Sequence, residues 1–235
     1  MITANGLLPT GNLQCVIFDL DNTIVNLGDF VDWQGAKDSA YKCYLENGVS
    51  VDILDSAAGK KMDFLSNVQS ELMKIHPPEK VVEIQDDVSR HICNFELKGA
   101  QNAIPMPGAL DTLSWLKTEG FRMGIASSNC DPSVELALRS AGLSRFIEAI
   151  VGRNGRLMMK PNPEQVVVCL SKLNELPERS IMVGDTILDA MAAKAAGLIF
   201  AGVPTGRHSK EQLIEVGADH VISSLSNLPS LISKL

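Results

Sequence analysis

Two pairs of aspartates stand where short apolar runs end. Asp19 and Asp21 follow Cys15–Phe18 in the run Asp19-Leu20-Asp21-Asn22-Thr23, and Asp185 and Asp189 follow Ile181–Val183 in Gly184-Asp185-Thr186-Ile187-Leu188-Asp189. Carboxylates at i and i+2 of an extended chain face the same side. Each pair alone also fits a plainer account: the first an Asx turn at a solvated strand end, the second a helix cap with dipole complementarity. Between the pairs come Ser127-Ser128-Asn129, after the apolar run Met123–Ala126, and Lys160-Pro161-Asn162-Pro163. A serine at a strand end usually caps the next helix, and a single lysine is usually a surface charge; here the flanking prolines stiffen its position. The combination carries the chemistry. Open α/β sheets bind ligands at the carboxyl ends of their strands, and all these polar residues fall at or near such ends. Three carboxylates held within ~4 Å of one another repel by a few kcal/mol per pair even at an effective dielectric of ~20. A divalent cation removes that cost, and oxygen donors with no neighbouring His or Cys point to Mg²⁺.

The elements that must position these groups are legible as buried parallel strands: Cys15–Phe18, Met123–Ala126, Ile181–Val183 and Leu198–Val203, the last followed by Pro204-Thr205-Gly206. Helical spacing separates them, in Ala109, Leu113 and Leu116, in Val134, Leu138 and Ala141, from Val166 to Leu173 and from Ala190 to Ala196. Asp131-Pro132 reads as a cap followed by proline at the first helical position. This alternation predicts an α/β fold with a doubly wound, mainly parallel, Rossmann-like sheet. One block breaks it. From about Leu27 to Ala103 the apolar residues recur only at helical spacing, as in Phe64, Val68, Leu72, Ile75 and in Val81, Ile84, Val88, Ile92. Ile104-Pro105-Met106-Pro107-Gly108 closes the block like a hinge. The expected organisation is a catalytic core of 1–26 and 104–235 with an inserted all-helical cap of 27–103.

The 235 residues are 45% hydrophobic and 5% aromatic, enough for one sizeable core or a core plus a smaller insert. The formal net charge of −7 offers no clustered cations for a nucleic-acid partner. Phosphate would have to be held by a few placed cations or a metal. No apolar run approaches the ~20 residues of a membrane span, and the first residues show no basic region followed by an apolar stretch. Cys15, Cys43, Cys93, Cys130 and Cys169 are odd in number and widely spaced, which predicts buried free thiols in a reducing compartment over a disulfide or zinc framework. The expected location is cytoplasmic.

Taken in order, Asp19-x-Asp21-x-Thr23, Ser127 after an apolar strand, Lys160-Pro161 and Gly184-Asp185-x-x-x-Asp189 resemble the four motifs of the haloacid dehalogenase-like superfamily over nearly the whole chain. The group most resembled is that of phosphoglycolate phosphatases and β-phosphoglucomutases, which place a helical cap after the first motif. The tail from Gly202-Val203-Pro204-Thr205-Gly206 to Gly217-Ala218-Asp219-His220-Val221-Ile222 looks especially like the phosphoglycolate phosphatases. The resemblance implies that Asp19 attacks phosphorus to form an aspartyl phosphate. Asp21 would protonate the leaving oxygen and then activate water. Asp19 and Asp185 would ligate Mg²⁺ with the Asp21 backbone carbonyl, and Asp189 would support the metal shell. Ser127 and Lys160 would hold phosphoryl oxygens, with Thr23, Ser128 and Asn129 also lining the substrate. Asn22 stands where glycine is common in the family, and asparagine also accepts left-handed turn geometry. After Thr23 the run Ile24-Val25-Asn26-Leu27 departs from the Val-Asp-Ser type of the closest group.

The expected partner is a small phosphorylated metabolite, bound by a monomer or weak homodimer. A phosphomutase would use the same residues. A dehalogenase has no need of the acid at Asp21, and a phospho-receiver module needs neither the helical insert nor the Asp185/Asp189 pair. Residues 28–100 hold 13 acidic and 8 basic side chains, a net of −5. A cap closing over an anion therefore needs a local cation. Lys60-Lys61, the one adjacent Lys/Arg pair in the chain, follows Gly59, and related caps carry their specificity loop at a similar place. These lysines are the expected contacts to the leaving group, with a solvated helix start as the alternative.

Overall fold

The computed structural model describes residues 13–58 and 64–235. Lys60 and Lys61 lie outside the described residues. The core is a six-stranded, wholly parallel sheet of β1 (Cys15–Phe18), β4 (Arg122–Cys130), β5 (Ala149–Arg153), β6 (Ser180–Gly184), β7 (Ile199–Gly202) and β8 (His220–Val221), in the spatial order β5-β4-β1-β6-β7-β8. The chain builds outward from β1 on one side and then returns to build outward on the other. The crevice beside the carboxyl end of β1 is thus the topological switch point, where open α/β sheets bind ligands.

Alternation along β1 feeds both faces. Val16 and Phe18 pack with Leu113 and Leu116 of α5 (Ala109–Thr118) and with Val134 and Leu138 of α6 (Asp131–Ser140). Cys15 and Ile17 pack with α7 (Glu164–Leu173), α8 (Ile187–Ala195) and Leu213 of α9 (Lys210–Glu215). The central strands are apolar on consecutive positions because both faces are covered. A short α10 (Leu228–Ile232) closes the first face through Leu228.

The expected strands are all present. The two outer ones, β5 and β8, were not foreseen. Ala149-Ile150-Val151-Gly152-Arg153 is interrupted by glycine and ends on a charge, and β8 has only two residues. Asp131 is the first residue of α6 and not its cap; Cys130 occupies the cap position, and Asp131 Oδ1 instead accepts from the Gly152 amide at 2.5 Å. That bond ties the start of α6 to the neighbouring strand, a tertiary demand local capping rules do not see.

The segment between β1 and β4 is helical: α1 (Trp33–Glu46), α2 (Val51–Ala58), α3 (Phe64–Leu72) and α4 (Pro78–Ala100). Their buried faces share a separate core of Ala40, Tyr44, Leu54, Leu72, Ile84 and Val88 among others. Ile75, placed on the α3 stripe by its spacing, lies past the end of that helix and is exposed. Two short strands, β2 (Val25–Asn26) and β3 (Ile104–Pro105), pair antiparallel where the chain leaves the core and returns to it. Among the described residues no helix is long and apolar enough to cross a membrane.

Cys93 and Cys130 form a disulfide across 37 residues, while Cys15, Cys43 and Cys169 are buried free thiols. This corrects the expectation of five free thiols. Spacing rules detect local pairs, and these two sulfurs meet only because α4 packs over the carboxyl end of β4.

Candidate active site

Asp19 emerges from β1 with its amide bound to the Val183 carbonyl of β6 at 2.9 Å, so the neighbouring strand fixes where its side chain starts. Lys160, which could have been a surface charge, is buried, with 3% exposure. Its ammonium donates to Asp19 Oδ1 at 2.6 Å, Asp189 Oδ1 at 2.6 Å and the Ala126 carbonyl at 2.9 Å. An ammonium has three N–H donors, and all three are taken. Lys160 therefore acts here as a charge set between carboxylates.

Asp189 joins two roles. Its Oδ1 takes Lys160, while its Oδ2 accepts from the Thr186 amide and hydroxyl at 3.0 and 2.6 Å, closing a capping box at the start of α8. The helix-cap account of this residue thus holds alongside its place in the acidic cluster. Asp185, at the end of β6, receives one long contact, from the Thr23 hydroxyl at 3.4 Å. Carboxylate oxygens of Asp19, Asp185 and Asp189 all lie within 4.8 Å of one another.

Burial is the largest influence on the titration of Asp19, Asp185 and Lys160. It pushes the Asp19 carboxyl up, Lys160 opposes it, and the Asp189 charge adds to it, for a value of about 7. Asp185 rises to about 8 through burial and then the charges of Asp19 and Asp189. Burial disfavours the charged form of Lys160, but Asp189 and Asp19 outweigh it and hold the ammonium above its ordinary value. One lysine thus leaves the three-carboxylate cluster with uncompensated negative charge. The hard oxygen donors and their mutual repulsion fit a small divalent cation such as Mg²⁺, which Asp19 and Asp185 could hold.

Asp21 is half-buried, and its Oδ1 accepts from the amides of Leu27 at 2.9 Å and Gly28 at 2.8 Å. Burial raises its pKa and the Gly28 and Leu27 amides work against that rise. A carboxyl shifted upward is suited to giving and taking a proton. Gly28 leaves room for this carboxylate, since an added Cβ would sit 2.5 Å from Asp21 Oδ2 and force it to shift. Asn22 adopts φ 58°, the left-handed conformation anticipated for it, and its carbonyl accepts from the Thr205 hydroxyl.

Ser127 is fully buried; its hydroxyl donates to Asn129 Oδ1 at 3.2 Å and accepts from the Asn129 amide at 3.1 Å. The Ser127 carbonyl takes Gln165 Nε2 at 2.7 Å. Ser128 presents its carbonyl to Arg153 at 2.7 Å. The sequence motifs omitted Glu96 and Arg153, and gave Gly206 no place beside Asp185. A Cβ at Gly206 would overlap the Asp185 carboxylate. Glu96 and Arg153 form a buried, two-pronged ion pair at 2.9 and 3.1 Å beside Asn129.

The chain belongs to the haloacid dehalogenase-like hydrolase family, whose model matches residues 16–203. It is 27% identical over 223 residues to the pyrophosphatase PpaX of Bacillus pumilus, covering 94% of this chain and 96% of that one. A solved haloacid dehalogenase-like hydrolase from Bacteroides fragilis superposes with a TM-score of 0.64 at 25% identity, over 92% of this chain and 99% of the other. A predicted phosphatase from Clostridium acetobutylicum shares the fold with a TM-score of 0.67 at 24% identity, over 95% and 100%. The α/β core with a helical insertion and an aspartate cluster at the switch point is therefore that of an enzyme of this family.

Proposed function

We propose that the protein is a Mg²⁺-dependent phosphatase that hydrolyses a small phosphorylated metabolite through an aspartyl phosphate on Asp19. The observation that carries this reading is the buried Asp19–Lys160–Asp189 arrangement with Asp185 beside it. Lys160 holds Asp19 Oδ1, which leaves Oδ2 as the atom to attack phosphorus. Asp21, pinned by the Leu27 and Gly28 amides, donates its proton to the leaving oxygen and then takes one from the attacking water. Ser127 and the backbone around Ser128 and Asn129 line the side where phosphoryl oxygens would lie, and Thr23 steadies Asp185. When bound to Asp19 and Asp185, Mg²⁺ supplies positive charge against the phosphoryl oxygens. Phosphoryl transfer depends mostly on such positioning and charge stabilisation.

The named relative makes inorganic pyrophosphate one member of the substrate set to be tried. A panel of phosphorylated metabolites, pyrophosphate among them, assayed with Mg²⁺ and with excess chelator, tests the reading. Turnover of at least one small phosphate compound is expected with Mg²⁺ and is lost in chelator. Full activity in chelator, or none on any member, contradicts it.

A further inference from the structure

The helical insertion reaches the carboxyl end of β4 through a buried carboxylate beside the Cys93–Cys130 disulfide. Glu96 sits on α4, is 1% exposed, and has both oxygens engaged. Oε1 accepts from Arg153 Nη1 at 2.9 Å and Asn129 Nδ2 at 3.2 Å. Oε2 accepts from Arg153 Nη2 at 3.1 Å, from the Cys130 amide at 2.9 Å and from the Ser133 hydroxyl at 3.4 Å. Arg153, at the end of β5, also donates to the Ser128 carbonyl at 2.7 Å and to the Ser89 hydroxyl at 3.1 Å. Two charges taken out of water need this many partners to be tolerated, and nearly all of those partners lie in 128–133 or on α4.

We propose that Glu96, seated by Arg153, is a positioning residue that sets the orientation of Asn129 and through it the hydroxyl of Ser127. This rests on the phosphatase reading given above. The physical basis is polarity. A carboxylate can only accept hydrogen bonds, so Glu96 forces the Asn129 amide to turn its NH₂ toward α4. That leaves Asn129 Oδ1 facing Ser127, whose hydroxyl donates to it at 3.2 Å. The helical insertion thus dictates the donor–acceptor order at the carboxyl end of β4, which lies against the nucleophile's lysine, since the Ala126 carbonyl of that strand holds Lys160. With a neutral amide at position 96 the constraint disappears. Asn129 can then reverse and present NH₂ to Ser127.

A kinetic cycle over Glu96→Gln, Asn129→Ala and the double variant tests this. Each rate is normalised to the folded fraction and measured well below each variant's melting midpoint, alongside Asp19→Asn. We expect E96Q to lower kcat on the order of 100-fold, the scale of a small misplacement at a reacting centre, with KM changed much less. The double variant should be no slower than N129A alone, because Glu96 acts through Asn129. A merely structural Glu96 would lower Tm and leave kcat of the folded fraction at the wild-type value, whereas a Glu96 acting independently of Asn129 would give losses that multiply in the double variant; either kinetic result overturns the proposal. If D19N is as active as wild type, the phosphatase reading fails separately. The positioning claim is then judged by calorimetric binding of inorganic phosphate, where equal affinity in wild type and E96Q overturns it and weaker affinity in E96Q sustains it.

Discussion

At the scale of single residues, burial first and neighbouring carboxylates second make Asp19 and Asp185 costly to ionise. Both carboxyls have an ordinary value of 3.8 and are raised in the folded protein, to about 7 and about 8. A carboxyl with a raised folded value binds protons more tightly folded than unfolded. Its stabilising contribution is full below its ordinary value and is lost as pH climbs through the folded value. For the metal-free protein these two groups therefore lower stability progressively between about pH 4 and about pH 8. Mg²⁺ competes with those protons for the same oxygens. The rise in Tm on adding Mg²⁺ is thus expected to be larger at about pH 8 than at about pH 5, as read by differential scanning calorimetry; an equal or smaller rise at the higher pH contradicts the assignment. The aspartates and Lys160 were legible in the sequence because strand ends concentrate ligand chemistry in this fold. Lys160's burial and its saturated set of acceptors were not, since nothing local to Lys160-Pro161 reveals that the side chain points inward.

At the scale of elements, the loops after the strands are shaped by what is missing from them. Gly206, after β7, has no side chain in the space the Asp185 carboxylate fills. Gly206→Ala should displace that carboxylate and lower kcat on the order of 100-fold while Tm changes little, because the loop is exposed. Wild-type kcat in that variant would show that Asp185 tolerates displacement. The four inner strands and the helix α4 were readable from apolar spacing alone. Glu96 carried a signal that went unused: it stands four residues after Ile92, on the stripe of Val88 and Ile92 that is buried. A carboxylate on a buried stripe must have a partner. Arg153 gave no comparable sign, because β5 itself was not recognised. The Cys93–Cys130 disulfide was beyond sequence reasoning because it depends on where α4 docks.

At the scale of the whole molecule, the insertion is joined to the core by the paired strands β2 and β3, by the Glu96–Arg153 ion pair and by the disulfide. Closing a loop of 37 residues restrains the unfolded chain by about 4 kcal/mol in the chain-entropy account. Full reduction, or Cys93→Ser, should lower the unfolding free energy by about that amount in urea titrations, and an unchanged midpoint would show that the link adds nothing. The helical block between β1 and β4 followed from the sequence because it interrupted an alternation of strands and helices. How tightly the parts are fastened did not, since each fastening joins residues far apart in the chain.

The account turns on covalent attack by Asp19. Its most direct test is to mix enzyme with Mg²⁺ and a substrate from the panel, quench in acid within a turnover, and map the peptides by mass spectrometry. The predicted result is one phosphoryl group on the peptide carrying Asp19 in the wild type and none in Asp19→Asn, whose turnover falls about 10⁴-fold or more. A phosphoryl group on another residue, or an Asp19→Asn enzyme within tenfold of wild type, would contradict it.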